Sequence, residues 1–169
     1  MQFEFLPISK NSNVSDFNCE EVTLNTFLQK STLIDHTRKL SATTIAIKKG
    51  DQSAKVLGYY TICPTEVAPE KLSKKHSRGL PSRPVSGMLL CRVARDLQFK
   101  GTSLGEELLI HSLKKCHQLS IELGGYVVTV DALNKHVAKI YKSYGFKEFR
   151  ENPLQLAMKM SDIRKSFGL

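Results

Sequence analysis

The segment from Leu89 to Leu109, LLCRVARDLQFKGTSLGEELL, combines a buried strand, a short loop and the start of a helix. The strand is predicted over residues 85–94, which are mostly apolar. The helix is predicted to begin at Ser103, because Ser103 followed by Glu106 is a capping-box pattern, and to end at the glycine pair 124–125. Its apolar face consists of residues at helical spacing, namely Leu104, Leu108, Leu109, Leu113 and Cys116.

Strands and helices alternate along the rest of the chain. Further strands are predicted over residues 2–8, 43–49, 55–62, 126–131 and 154–160, and further helices over 22–38 and 134–143. Residues 64–84 read as a polar, basic, proline-containing connection with a short helix. The pattern favours an α/β fold, in which helices cover a mixed sheet. A chain of 169 residues fits a single domain, residues 1–169.

Composition excludes several classes of protein. The hydrophobic fraction of 41% is ordinary for a globular protein, and no apolar run approaches the roughly 20 residues of a membrane span. The first ten residues do not resemble a secretion signal, so we expect the protein in the cytoplasm. The cysteines are widely spaced and lie at no metal-ligand spacing with histidine, which predicts reduced, mostly buried thiols and no metal site: Cys19, Cys63, Cys91 and Cys116.

The formal net charge of +9 points to a polyanionic partner, either a nucleic acid or a phosphate-rich cofactor. No acidic residue occurs between Lys71 and Arg95. The cations of this stretch are Lys71, Lys74, Lys75, Arg78, Arg83, Arg92 and Arg95. Composition alone supports equally a binding surface and a solvated basic loop with no special role.

The loop over residues 100–105 is a candidate phosphate site. Its small residues allow close approach of a ligand to the backbone, and the first N–H groups of the following helix have no partners within that helix. A pyrophosphate fits this end of the helix, and Lys100 adds a positive charge there. A tight turn from strand to helix also needs small residues, so the spacing by itself favours phosphate binding only moderately.

The same loop resembles the acetyl-CoA loop of the GNAT family of N-acetyltransferases, whose pattern is (Gln/Arg)-x-x-Gly-x-(Gly/Ala). Here Lys100 replaces the usual Gln or Arg, and Ser103 replaces the middle Gly. The resemblance implies the GNAT fold, a mixed, mostly antiparallel central sheet with helices on both faces. It also implies acetyl-CoA as cofactor, with the backbone of Val93 and Ala94 orienting the thioester. The expected phosphate contacts come from Lys100, Gly101, Thr102, Ser103, Leu104 and Gly105.

A second segment, from Asn134 to Phe146, is similar to the family's Asn…Ala…Tyr…Gly-Phe signature. The resemblance implies that Asn134 helps to hold the pantetheine arm of the cofactor and that Tyr141 lies near the thioester sulfur. We therefore assign Tyr141 as the general acid that protonates the departing thiolate. Packing against the sheet is the alternative role for Tyr141, and Tyr144 is the better candidate for that role.

Further motifs resemble the toxin subgroup of the family in bacterial type II toxin–antitoxin systems. They are Phe17–Leu28 (FNCEEVTLNTFL), Gly58–Tyr60, Leu90–Asp96 and Asn152–Leu154, with Asn18 and Cys91 departing from the subgroup's Asp and Gly. The resemblance implies a homodimer that acetylates the α-amine of aminoacyl-tRNA and so stops translation. It also implies a ribbon-helix-helix antitoxin as partner.

No general base stands out in the sequence. An α-amine titrates near about 7.7–8.0 and a lysine side chain near about 10.4, so an α-amine needs a base less and a lysine acceptor needs a positioned carboxylate such as Glu66 or Asp96. The predicted tRNA contacts are Arg38, Lys39, Lys71, Lys74, Lys75, Arg78 and Arg83. Two alternatives stay open, acetylation of a small-molecule or protein amine and a non-catalytic module that binds nucleic acid or a partner.

Overall fold

Strands and helices alternate in the computed structural model, which describes residues 1–169. The strands are β1 (Phe3–Pro7), β2 (Ala42–Lys48), β3 (Gly58–Val67), β4 (Val85–Arg95), β5 (Val127–Asp131), β6 (Lys147–Glu148) and β7 (Gln155–Lys159). The helices are α1 (Val22–Thr26), α2 (Thr32–Thr37), α3 (Lys74–Ser77), α4 (Leu104–Leu123), α5 (Lys135–Ser143) and α6 (Met160–Phe167). None of the helices has the length and apolar content that crossing a membrane requires.

The strands hydrogen-bond in the order β1-β2-β3-β4-β5-β7-β6. The pairs β1–β2, β2–β3, β5–β7 and β6–β7 are antiparallel, and the pair β4–β5 is parallel. This arrangement confirms the predicted mixed, mostly antiparallel sheet of an α/β fold.

The parallel ladder between β4 and β5 is short. It runs from Gly87 opposite Val127 to Leu90 opposite Val130, and β4 continues to Arg95 beyond the last pair. A side chain at Gly87 would place a Cβ 2.7 Å from the carbonyl oxygen of Val127, so this close approach requires glycine. The last five residues of β4, 91–95, therefore do not pair with β5.

The chain divides into two compact units. Unit 1 consists of Met1–Cys63 and Cys91–Ser112, and unit 2 consists of Pro64–Leu90 and Leu113–Leu169. Unit 1 has a core that includes Ile8, Phe17, Leu28, Ile45, Ile47, Val56, Tyr59 and Ala94. A cluster in unit 2 comprises Val67, Leu72, Val127 and Ala157.

The helix predicted over residues 22–38 is interrupted. A π-helical turn, Phe27–Ser31, separates α1 from α2. The Thr32 hydroxyl and the Thr32 backbone N–H both donate to the carbonyl oxygen of Phe27, five residues earlier. This local pairing widens the turn, and spacing of apolar residues at 3.6 per turn does not reveal it.

Strand β3 begins and ends later than the predicted 55–62, and Pro64 lies inside it. The ladder between β2 and β3 ends at Ala42 opposite Ile62, so the missing N–H of Pro64 removes no bond to β2. The prediction that a connection starts at Pro64 is therefore wrong. The short helix predicted within residues 64–84 is confirmed as α3, whereas the sequence interpretation missed β6 and α6.

Candidate active site

The loop that follows β4 starts at a buried carboxylate. Asp96 is only 3% exposed, and its two oxygens accept the backbone N–H of Asn18 (3.0 Å) and of Gln98 (2.9 Å). The backbone N–H of Asp96 donates to the carbonyl oxygen of Leu57 at 2.7 Å. Buried charges are stable where such donors satisfy them. Asp96 thus joins the Phe17–Leu28 motif to the loop.

Between Asp96 and α4 the loop folds on itself. The N–H of Lys100 donates to the carbonyl oxygen of Leu97, and the N–H and hydroxyl of Thr102 both donate to that of Phe99. The Thr102 hydroxyl oxygen in turn accepts the N–H of Leu104 at 3.3 Å. The backbone N–H groups that lack a partner within the protein belong to Gly101, Ser103, Gly105 and Glu106. These N–H groups can donate hydrogen bonds to a bound anion.

Two glycines shape this end of the helix. Gly101 has φ of +81°, and open space surrounds the position that its Cβ would occupy. A Cβ on Gly105 would lie 3.4 Å from Nε of Arg95, so the Arg95 guanidinium group lies beside the first turn of α4. The sequence interpretation did not assign Arg95 to this site, although it ends the same strand as Val93 and Ala94.

The predicted capping box at Ser103 is wrong. The Ser103 hydroxyl donates to Oε1 of Glu107 at 2.7 Å, while the hydroxyl of Thr102 takes the capping role toward Leu104. Serine and threonine are both favoured as helix N-caps, so the sequence cannot tell which of the adjacent residues Thr102 and Ser103 has the capping hydroxyl. The loop geometry makes that choice. The predicted stop is confirmed, because α4 ends at Leu123 before Gly124, which has φ of +77°.

Unit 2 holds the second signature. The Asn134 side chain accepts the N–H of Val137 at 3.0 Å, so Asn134 is the N-cap of α5 and is itself exposed. Gly145 has φ of +101°, and the carbonyl oxygen of Tyr141 accepts the N–H of Phe146 at 3.3 Å. The signature therefore has a structural part, the cap and the turn, besides its predicted role at the cofactor.

Tyr141 contacts the turn that it helps to form. Its ring packs edge-on against Phe146 with centroids 5.4 Å apart, and Phe146 is 1% exposed. Burial raises the pKa of Tyr141 to about 12. The phenol therefore keeps its proton throughout the physiological pH range, as a proton donor must.

The carboxylates considered as bases differ in their environment. Asp96 is occupied by two N–H donors, which makes it a structural residue. Glu66 is exposed and lines a cavity of about 170 Å³ together with Lys71 and Asp131. Within that cavity the Gln155 amide donates to Oδ1 of Asp131 at 3.1 Å. Glu66 is thus the carboxylate that remains a candidate base.

The basic segment, which we define as residues 71–83, is held in place by polar anchors. The Arg150 guanidinium group donates to the carbonyl oxygen of Leu72 (2.6 Å) and to the Ser77 hydroxyl (2.8 Å), and the Tyr126 hydroxyl donates to the carbonyl oxygen of His76 (2.7 Å). Burial lowers the pKa of His76, which is 1% exposed, and the nearby Asp162 carboxylate opposes that shift. The exposed cations of the segment are Lys71, Lys74, Lys75, Arg78 and Arg83.

The predicted residues fall into both units. Unit 1 contains the end of β4 with Val93 and Ala94, the loop over 100–105, and the exposed pair Arg38 and Lys39 after α2. Asn134, Tyr141 and the basic segment belong to unit 2. No three histidine, cysteine, aspartate or glutamate side chains lie close enough together to hold a metal ion.

Comparison with known proteins gives one consistent class. No family model matches the chain. A curated relative, the tRNA-acetylating toxin of Mycobacterium tuberculosis (strain ATCC 25618 / H37Rv), is 29% identical over 161 residues, which cover 95% of this chain and 94% of the relative.

Solved structures of two toxins superpose closely on the chain. A crystal structure of a tyrosine-to-phenylalanine mutant of KacT has a TM-score of 0.92 at 26% identity and covers 99% of this chain and 100% of its own. AtaT in complex with acetyl-methionyl-tRNAfMet has a TM-score of 0.90 at 26% identity, with coverage of 98% and 99%. AtaTR bound with AcCoA has a TM-score of 0.80 at 25% identity, with coverage of 98% of both chains.

Sheet topology, the free N–H groups at the start of α4 and these similarities together define an acetyltransferase of the GNAT fold. Over nearly its whole length the chain is similar to GNAT-type toxins of toxin–antitoxin systems, of which KacT and AtaT are examples. Both levels of the predicted family are thereby confirmed.

The Asp96 carboxylate generates a test of the loop. In Asp96→Asn one of the two accepting oxygens becomes an amide nitrogen, so the N–H of Asn18 or of Gln98 loses its acceptor. We expect the free energy of unfolding to fall by about 1–3 kcal/mol in urea titrations. Asp16→Asn makes the same chemical change at an exposed carboxylate and should leave stability within about 0.5 kcal/mol of the parent. Equal stability of all three proteins would contradict the role given to Asp96.

Proposed function

We propose that residues 1–169 work as one acetyltransferase domain that transfers the acetyl group of acetyl-CoA to the α-amine of aminoacyl-tRNA and so blocks translation. The observation that carries this proposal is the set of free N–H groups at Gly101, Ser103, Gly105 and Glu106, which suits a pyrophosphate. The relatives support it, because their names describe tRNA acetylation and complexes with AcCoA and with an acetylated tRNA.

The pyrophosphate of acetyl-CoA would lie against these N–H groups, with Lys100 and Arg95 supplying positive charge. Glu106 and Glu107 stand in the first turn of α4 and favour the helix dipole, but they oppose a bound anion. The Ser103 hydroxyl already engages Glu107, which keeps that carboxylate in a fixed position. Beyond the last β4–β5 pair, the backbone of Val93 and Ala94 is our choice for orienting the thioester, and Asn134 for holding the pantetheine arm.

Gly101 offers a test of the pyrophosphate position. Gly101→Asp adds a negative charge at a position surrounded by open space, and Gly101→Asn adds nearly the same volume without charge. Both residues tolerate a left-handed backbone better than most, so the pair isolates the charge. Isothermal titration calorimetry should show acetyl-CoA binding weaker by about two- to fivefold in the Asp variant than in the Asn variant. Equal affinity for the two variants would place the pyrophosphate elsewhere.

Transfer requires a neutral amine, a polarised thioester carbonyl and a proton for the leaving thiolate. The neutral amine would attack the acetyl carbon, the carbon–sulfur bond would break, and the Tyr141 hydroxyl would give its proton to the sulfur. The proton that the nitrogen loses on becoming an amide would then return to the Tyr141 oxygen, directly or through water. Because burial raises the pKa of Tyr141 to about 12, the hydroxyl holds that proton at neutral pH. Activity should therefore rise with pH as the α-amine loses its proton near about 7.7–8.0. Ionisation of Tyr141 should cause no fall below about pH 11.

We expect Tyr141→Phe to bind acetyl-CoA normally and to lose about 10²–10⁴-fold in kcat, because only the hydroxyl is removed. Ring packing against Phe146 is preserved in phenylalanine, so thermal unfolding should stay close to that of the parent. The matched control is Tyr144→Phe, which removes a hydroxyl three residues away and should keep most of the activity. Unchanged turnover in Tyr141→Phe, or an equal loss in both variants, would remove Tyr141 as the acid.

The acceptor is proposed to be an α-amine because the structure offers little to deprotonate a lysine. Asp96 is engaged by backbone donors, and Glu66 is exposed at the rim of a cavity. An α-amine is partly neutral at pH 7 without help from a base. Glu66 is the carboxylate that can accept a proton from the amine through a water molecule, and an exposed carboxylate is sufficient for that role.

Phosphates of the tRNA would meet the basic segment. Its cations are exposed, whereas the groups that hold it, Arg150 and Tyr126, point their donors at backbone oxygens and Ser77. The segment thus presents positive charge on a fixed backbone, which limits the conformational entropy lost on binding. Arg38 and Lys39 in unit 1 are proposed as further phosphate contacts.

Replacing Lys74, Lys75 and Arg78 by alanine should raise the KM for charged tRNA and flatten its salt dependence. Each lost phosphate contact removes about 0.7–0.9 from the slope of log affinity against log salt. A control with the same loss of charge replaces the exposed Lys10, Lys48 and Lys49 of unit 1 and should change neither quantity much. Acetyl-CoA affinity should stay the same in both triple variants. An undiminished rate with tRNA would exclude the basic segment and leave room for a small-molecule or protein amine as acceptor.

The proposed partners follow from the family. We propose a homodimer that is neutralised by a ribbon-helix-helix antitoxin, and a cytoplasmic location where charged tRNA is available. Expression alone should then stop growth, and co-expression of the antitoxin should restore it.

A further inference from the structure

Two cysteines meet across neighbouring strands of unit 1. Cys63 lies on β3 and Cys91 on β4, strands that are hydrogen-bonded neighbours in the sheet. Their sulfur atoms are 2.8 Å apart. Both side chains are partly exposed, as is Cys19, so the prediction that the thiols are mostly buried is wrong and holds only for Cys116. A disulfide bond has a sulfur–sulfur distance of about 2.05 Å, so bonding needs a closing movement of less than about 1 Å. The pair is placed for reversible oxidation.

The surroundings of the pair favour a thiolate at Cys63. The hydrogen bond with the Cys91 thiol lowers the pKa of Cys63 against the opposing effect of burial, and the positive charge of Arg92 lowers it further. Arg92 is held in place by Phe27, whose ring centroid lies 3.7 Å from the guanidinium carbon. The proton shared between the sulfurs belongs mainly to Cys91, whose pKa is raised. A thiolate beside a protonated partner thiol is the arrangement of an attacking and a resolving cysteine.

The other cysteines lack these features. Cys116 is fully buried, which raises its pKa to about 12. Burial also raises the pKa of Cys19, whose sulfur lies 3.1 Å from Oδ1 of Asn25. Since oxidation follows thiolate character and exposure, selective reaction is expected at Cys63.

We propose that Cys63 and Cys91 form a redox site that hydrogen peroxide converts reversibly into an intrachain disulfide. The Cys63 thiolate attacks peroxide, forming a sulfur–oxygen bond as the oxygen–oxygen bond breaks and hydroxide leaves. The Cys91 sulfur then attacks the sulfenic sulfur of Cys63, the sulfur–oxygen bond breaks, and the Cys91 proton leaves with that oxygen as water. Both thiols are oxidised by two electrons in total, and peroxide is reduced to water.

The bond would also act on acetyl transfer, a consequence that rests on the proposed function. Cys91 precedes Val93 by two residues on the same strand, and Val93 is assigned to the thioester. Drawing β4 toward β3 at Cys91 shifts the backbone next to the reacting atoms, and displacements of about 1 Å at such positions cost up to about 10²-fold in rate. The oxidised protein is therefore the less active form, and reduction by a thiol restores it.

The test begins with fully reduced protein treated with hydrogen peroxide, alkylated under denaturing conditions and mapped by mass spectrometry. We expect a linked Cys63–Cys91 peptide that disappears after dithiothreitol, with Cys19 and Cys116 alkylated throughout. Cys91→Ser should give no linked peptide and should accumulate oxygenated Cys63. Alkylation of both Cys63 and Cys91 after treatment, or a bond to any other cysteine, would overturn the proposal.

Measurements of acetyl transfer test the effect of the disulfide on activity separately from disulfide formation itself. Peroxide should lower acetyl transfer by about tenfold or more in the parent, and dithiothreitol should reverse the loss. The Cys63→Ser/Cys91→Ser double variant should be active and insensitive to peroxide. A linked peptide with unchanged turnover would overturn the effect on activity and leave the disulfide standing. Absence of acetyl transfer in the untreated, reduced protein would count against the proposed function and not against the redox site.

Discussion

A single buried carboxylate organises the part of unit 1 on which the proposed cofactor site depends. Asp96 must accept hydrogen bonds, because an unsatisfied buried charge is strongly unfavourable, and its acceptors are used by Asn18 and Gln98. The Asn18 side chain is engaged as well, since its Oδ1 accepts from the N–H of Glu20 and the amide of Asn25. One network therefore runs from the Phe17–Leu28 motif to the loop after β4. The motif and the loop, far apart in sequence, form one structural element.

The loop divides its donors between structure and binding. Lys100, Thr102 and Leu104 use their N–H groups to close the turns, whereas those of Gly101, Ser103, Gly105 and Glu106 remain free. Each internal bond fixes the direction of a neighbouring free N–H. A site that is rigid before a ligand arrives loses less entropy on binding, so the hydrogen bonds that never touch the cofactor still contribute to its affinity.

In the basic segment too, some polar groups hold the fold together and others are available for binding. The Arg150 guanidinium group donates its hydrogen bonds within the fold, to a backbone oxygen and the Ser77 hydroxyl, whereas the lysines of the segment are exposed to solvent. His76 of the short helix α3 is buried, and burial lowers its pKa. Net charge alone does not distinguish these cations, because the distinction depends on which of them has an internal partner.

Sequence by itself determined the order of most elements, the glycine stop after α4 and the family, because these depend on local spacing and on short motifs. Tertiary structure alone decided the π-helical turn at Phe27, the passage of β3 through Pro64 and the choice of Thr102 over Ser103 as the cap. It also decided that Asp96 is structural and that Cys63 meets Cys91. Each of these depends on a hydrogen bond or contact with residues elsewhere in the fold, or on a loop conformation that residue types leave open. The residues next to each of these positions in the sequence do not indicate which distant residue it will contact.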